Sequence, residues 1–135
     1  MMDTISYLKK LQETCDLYYT SLMKWYEQEQ DIAVLPDPVI ESFLGLVGGL
    51  YLTFSYEMEG LEKWYAKEFD RIKFLEAKPL SDKAADQKIK ILPEGQRIIT
   101  LERRLKALKF AKEAISRSVQ SRIEQRKQAN LIMRT

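Results

Sequence analysis

The sequence predicts an all-α fold: an elongated helical bundle with long central and C-terminal helices in coiled-coil-like packing. Three observations predict it. Apolar residues recur at spacings of three and four along most of the chain, the repeat of one helix face. The five glycines and four prolines are few and clustered, so long stretches carry no helix-breaking punctuation. No run alternates with period two between turn signals, and there is no Asn-Gly hairpin turn. The 135 residues are one domain's worth, read as a single helical domain 1–135. Residues 1–77 supply acidic and apolar helices, and residues 78–135 supply basic ones.

The first helix is predicted from about Asp3 to Gln30. Leu8, Leu11, Cys15, Tyr18, Leu22 and Trp25 form one apolar stripe, and Asp3 or Thr4 offers a capping oxygen. Pro36-Asp37-Pro38 ends the following loop, with Asp37 as the expected N-cap and Pro38 at the first helical position. A long helix then runs from about Pro38 to Ala77. Val39, Phe43, Leu46, Leu50, Phe54, Leu61, Tyr65, Ile72 and Leu75 form one of its stripes. Ile40, Leu44, Val47, Tyr51 and Met58 form a second. A helix apolar nearly all round needs walls on several sides, so a homo-oligomer is expected. Its interface is read as Phe43, Leu46, Val47, Leu50, Tyr51 and Phe54. Gly45, Gly48 and Gly49 fall in the same segment, where each costs up to about 1 kcal/mol relative to alanine. Close approach of another backbone and a break in the helix both account for them.

Ser81 is a suitable N-cap after Lys78-Pro79-Leu80, and Asp82 suits a helix N-terminus, so a short helix is predicted over Asp82–Leu92. Pro93-Glu94-Gly95 interrupts it. The last helix is expected from about Gln96 to Ala129. Its seam is Ile98, Leu101, Leu105, Leu108, Ile115 and Val119, with Lys112 in one slot.

Chemistry is constrained mainly by what is missing. There is no histidine, which removes the commonest general base and the commonest transition-metal ligand. No phosphate-cradling glycine loop precedes a lysine. Glu57, Glu59 and Glu62 cluster, but lysines adjoin them and a solvated face explains them. No catalytic residue, metal site or cofactor is therefore expected, and a binding protein is favoured over an enzyme. Cys15, the single cysteine, reads as an apolar filler and suggests a reducing compartment. The N-terminus lacks the apolar region of a signal peptide. The longest apolar stretch, Phe43 to Phe54, falls short of the roughly 20 residues that span a bilayer. A cytoplasmic location without a membrane partner follows as the expectation.

The net charge of +2 hides a polarity: residues 1–62 carry −8 and residues 63–135 carry +10. A basic surface directed at a polyanion and acid–base pairing within or between chains both explain it. From Arg97 onward eleven Lys and Arg face three Glu. Candidate nucleic-acid contacts are Lys63, Lys67, Arg71, Lys73, Lys83, Lys88, Arg97, Arg103, Arg104, Lys106, Lys109 and Arg117. Cations repeated along a track suit phosphates, because each neutralised phosphate releases condensed counterion. Trp64, Tyr65, Phe69 and Phe74 interleave with the Lys63-Lys67-Arg71 row, where aromatic rings would stack on unpaired bases.

Ser81-Asp82-Lys83-Ala84-Ala85-Asp86-Gln87, followed by Leu101, Leu105, Leu108 and Ala114-Ile115-Ser116-Arg117, resembles the UvsY-type recombination mediators of tailed phages. The likeness covers mainly residues 63–130. It implies a small helical protein that forms ring-like oligomers, binds single-stranded DNA and helps load a RecA-type recombinase against single-strand-binding protein, in the host cytoplasm. One stretch departs from the family. Its basic-aromatic segment of the form Lys-x-Arg corresponds here to Ala66-Lys67-Glu68-Phe69-Asp70-Arg71, so Lys67 matches and Arg71 is displaced. The alternative to DNA binding is a helical protein–protein interaction module for phage assembly or host takeover.

Overall fold

The computed structural model describes residues 4–28, 35–75 and 77–134. Four helices make up nearly all of them: α1 (Thr4–Gln28), α2 (Asp37–Lys73), α3 (Asp82–Lys90) and α4 (Pro93–Arg134). The fold is all-α, with no strand among the described residues, and the long helices α2 and α4 pack against each other. The predicted cap at Asp3 and the helix end at Gln30 lie outside the described residues, as do the side chains of Thr4 and Leu8.

The chain divides into two compact units, Met1–Leu50 with Leu108–Thr135, and Tyr51–Ala107. In the first, α1 lies antiparallel to the start of α2. The register follows from the neighbours: Trp25 and Tyr26 set their rings 5.3 and 5.5 Å from Phe43. One turn back along α1, Leu22 shares a hollow with Leu46, and Tyr18 and Leu50 line the same hollow. Ile40, Phe43, Val47 and Leu50 of α2 are buried, as are Leu108, Ala111 and Ile115 of α4. The expected cap at Asp37 is replaced. The helix begins at Asp37 itself, and the amides of Val39 and Ile40 donate to the Pro36 carbonyl at 3.0 and 3.2 Å. The Asp37 carboxylate instead faces Arg122 at 3.4 Å and Arg126 at 3.2 Å. Arg122 also donates to the Leu35 carbonyl at 2.6 Å, so α4 holds the entrance of α2.

In the second unit Phe54 and Met58 of α2, Ala85 and Ile89 of α3, and Leu101 of α4 are buried. The end of α2 comes at Lys73, short of the predicted Ala77, because the Leu80 amide turns back to the Lys73 carbonyl at 3.0 Å. Ser81 caps α3 as its sequence suggested, its hydroxyl accepting from the Ala84 amide at 3.2 Å. Pro93 opens α4, where its missing amide proton leaves no bond unmade. The elbow before it depends on Gly95. A Cβ there would overlap the Ile89 carbonyl oxygen and lie 2.9 Å from the Lys90 Cα, so α3 and α4 meet closer than any side chain permits.

The glycines of α2 have a different character. The helix runs unbroken through Gly45, Gly48 and Gly49, without positive φ, which removes the break. A Cβ at each would meet nothing within 4 Å, so none of them serves close packing inside this chain. The core face of α2, Ile40-Phe43-Val47-Leu50-Phe54-Met58, draws on both predicted stripes and leaves Val39, Leu46, Tyr51 and Leu52 outside. On α4 the slot assigned to Lys112 is filled by Ala111, while Lys112 is exposed. A one-residue shift lets a small side chain take the place and keeps the ammonium in water. By length and composition α2 is long and apolar enough to cross a bilayer, with a mean hydropathy of 1.3 over its most apolar 18 residues, 28% of them buried in the fold. A core helix of a soluble protein passes the same test.

Candidate nucleic-acid interface

A cation serves a polyanion only where its own chain has not already neutralised it, so the partners of each predicted residue decide its use. Five of the twelve are engaged, all in the second unit. The Arg97 guanidinium forks onto Glu57, with Nε at 2.8 Å from Oε2 and Nη2 at 3.0 Å from Oε1, and both side chains are largely covered. Lys73 reaches Asp82 at 2.5 Å and lies 5.8 and 5.6 Å from the Phe69 and Phe74 ring centroids, tying α2 to the start of α3. Arg71 binds Glu68 one turn away at 2.8 Å, which lowers the carboxyl pKa and raises that of the guanidinium. Lys63 stands 3.6 Å from Glu59 with both groups mostly in water, a pairing that water and salt weaken. Arg104 is half-buried over the Phe54 ring at 5.6 Å.

Seven remain: Lys67 on α2, Lys83 and Lys88 on α3, and Arg103 and Lys106 on α4 in the second unit, with Lys109 and Arg117 on α4 in the first. All are exposed, and none has an ion pair among the described residues. The charge polarity of the sequence is not carried into the units. Twelve Lys and Arg meet ten Asp and Glu in the second unit, and ten meet ten in the first. Each unit takes part of the acidic half and part of the basic half, and pairs such as Glu57–Arg97 and Asp37–Arg126 follow.

The aromatic row also separates. The Tyr65 hydroxyl donates a short hydrogen bond to the Asp86 carboxylate, which Lys90 also binds at 2.9 Å. That bond, with burial and the nearby carboxylates, pushes the phenol up to about 12. The same bond, seconded by Lys90, holds Asp86 below the usual carboxylate range, and Asp86 in turn raises the Lys90 ammonium. Tyr65 and Phe69 stack with centroids 5.9 Å apart, and both are half-buried, as is Trp64. Phe74 is the one of the four that faces solvent, at 61% exposure. Phe110 was missed by sequence reasoning. It is 62% exposed in the first unit, beside Lys109 and two helical turns before Arg117. A phenylalanine falling seven residues before an arginine on a helix was the available signal.

Of the predicted oligomer-interface residues, Phe43, Val47, Leu50 and Phe54 are buried in the chain's own fold, whereas Leu46 and Tyr51 are exposed. Two open apolar hollows of about 430 and 240 Å³ share Leu22 and Leu46 in the first unit. In the second, a cleft of about 310 Å³ has Ile89, Gly95, Ile98 and Ile99 in its lining with Glu62, Tyr65, Asp86, Lys90 and Glu102. Its carboxylates outnumber its one lysine, so it repels phosphate. No group of three or more metal-ligating side chains occurs among the described residues. Compared with known proteins, the chain matches no family model, no curated protein and no solved structure.

Proposed function

We propose that this protein binds single-stranded DNA through dispersed surface cations, in the manner of a recombination or replication mediator. The observation that carries the reading is the set of seven exposed cations without ion pairs among the described residues: Lys67, Lys83, Lys88, Arg103, Lys106, Lys109 and Arg117. A flexible polyanion needs several spaced charges and no deep pocket. Exposed Phe74 and Phe110 add rings on which unpaired bases stack, which favours single strands over duplex. On the UvsY-type resemblance, the bound strand would be passed to a RecA-type recombinase in the presence of single-strand-binding protein.

Fluorescence anisotropy of labelled single-stranded and duplex oligonucleotides at two salt concentrations tests the reading. Tighter binding of the single strand, weakening steeply with salt, is the expected result. Indifference to single-stranded DNA at low salt would overturn it. A second reading, a protein-interaction module, draws on the uncharged hollows beside Leu22 and Leu46 and would then take precedence.

A further inference from the structure

The α1–α2 hairpin in the first unit has an uncovered apolar side. Tyr18, Ser21, Leu22 and Trp25 of α1 line its two hollows with Pro38, Val39, Ser42 and Leu46 of α2, and no charged side chain is among the lining residues. Leu17 is 70% exposed beside them and Leu46 54% exposed among them. Desolvating such a surface costs little and removes apolar area from water. The charges along its α1 border are ordered: Lys10 and Glu13 toward one end and Lys24 toward the other, all exposed.

That order is self-complementary. If two copies of α1 meet antiparallel about a twofold axis between Tyr18 and Tyr19, each residue faces the one that completes a fixed sum of positions. Glu13 then faces Lys24 of the second copy, and symmetry repeats the pair. The same register brings the exposed Leu11 of the second copy to the larger hollow beside Trp25. A parallel pairing in register would set Glu13 against Glu13 and Lys24 against Lys24.

We propose that the open face of the α1–α2 hairpin docks on the same face of a second copy of this chain, with the two α1 helices antiparallel and Glu13–Lys24 pairs at the rim. This places self-association on the open rim of the two hollows, whose floors the buried Phe43 and Leu50 line, and not on the buried Val47 and Phe54. It does not depend on nucleic-acid binding.

Sedimentation equilibrium of the full chain without DNA tests it, with circular dichroism confirming helix content. The expected wild-type species at micromolar concentration is a dimer or an assembly built from dimers. Lys24→Glu alone, or Glu13→Lys alone, turns two attractive pairs repulsive and should weaken association about tenfold. The double variant Glu13→Lys, Lys24→Glu restores opposite charges across the axis and should recover affinity to within about threefold of wild type. A monomeric wild type would overturn the proposal. So would an assembly that ignores the single reversals, or a double variant no better than either single one. Because DNA is absent, failure here leaves the nucleic-acid reading untouched, and the reverse also holds.

Discussion

The two units are held in different ways. In the unit containing α1, apolar side chains on three long helical segments supply most of the cohesion: Phe43 under the Trp25 and Tyr26 rings, with Val47, Leu50, Leu108 and Ile115 buried. Between its helices, Asp37 pairs with Arg122 and Arg126 at the entrance of α2. The unit containing α3 must fix a nine-residue helix, too short to persist alone. It does so with directional contacts: the Ser81 cap, Lys73–Asp82, Tyr65–Asp86, Glu57–Arg97 and the Gly95 elbow. Where a segment is short, burial of Ala85 and Ile89 alone does not set its direction, and polar groups supply the geometry.

The largest expected effect breaks the apolar unit. Phe43→Ala empties a site that is 2% exposed and should cost about 3–5 kcal/mol in urea unfolding. A cost near zero would mean that the rings around Phe43 are not its packing partners. Next comes the contrast between glycines. Gly95→Ala forces a methyl into the Ile89 carbonyl and should destabilise by about 1–3 kcal/mol. Gly48→Ala, in open space on a regular helix, should instead stabilise by up to about 1 kcal/mol. Equal signs at the two positions in thermal melts would contradict the elbow.

The smallest effect is a pH signature of the α3 unit. The Tyr65 phenol is raised from its ordinary value of 10.0 to about 12, so its stabilising contribution is complete below pH 10.0 and is lost as the pH climbs toward 12. Asp86 is lowered, so its contribution is present above its ordinary range and is lost as the pH falls through the depressed value. Tyr65→Phe should cost about 1 kcal/mol at neutral pH. It should also flatten the fall in urea midpoint at alkaline pH; an unchanged alkaline limb would show that Tyr65 and Asp86 are not coupled.

Much of this fold was written locally. Ser81 marks a helix start because capping is decided within a few residues, whereas Pro93, read as an interruption before a helix from about Gln96, itself opens α4. The all-α class followed from helical spacing, the few clustered helix breakers and the lack of period-two runs. What could not be read depends on distant partners. Both α2 stripes satisfied helical periodicity, and only tertiary packing selects Ile40, Phe43, Val47 and Leu50 from between them. The exchange of Lys112 for Ala111 is a one-residue rotation that no local rule fixes. Gly45, Gly48 and Gly49 cluster in the sequence, yet the sterically constrained glycine is Gly95, because constraint comes from the neighbouring Ile89 carbonyl and not from clustering. Among the candidate cations, residue type was legible, but occupancy was not: Arg97 is taken by Glu57, forty positions away.

The division between spent and unspent cations is tested most directly by the salt dependence of single-stranded DNA affinity. Replacing Lys67, Lys83 and Lys88 together with alanine should make the slope of log affinity against log salt shallower by about 2, at roughly 0.7 for each phosphate no longer neutralised. Replacing Arg71, which Glu68 binds at 2.8 Å, should leave the slope nearly unchanged. Equal changes of slope in the two variants, or no change in the first, would contradict the division.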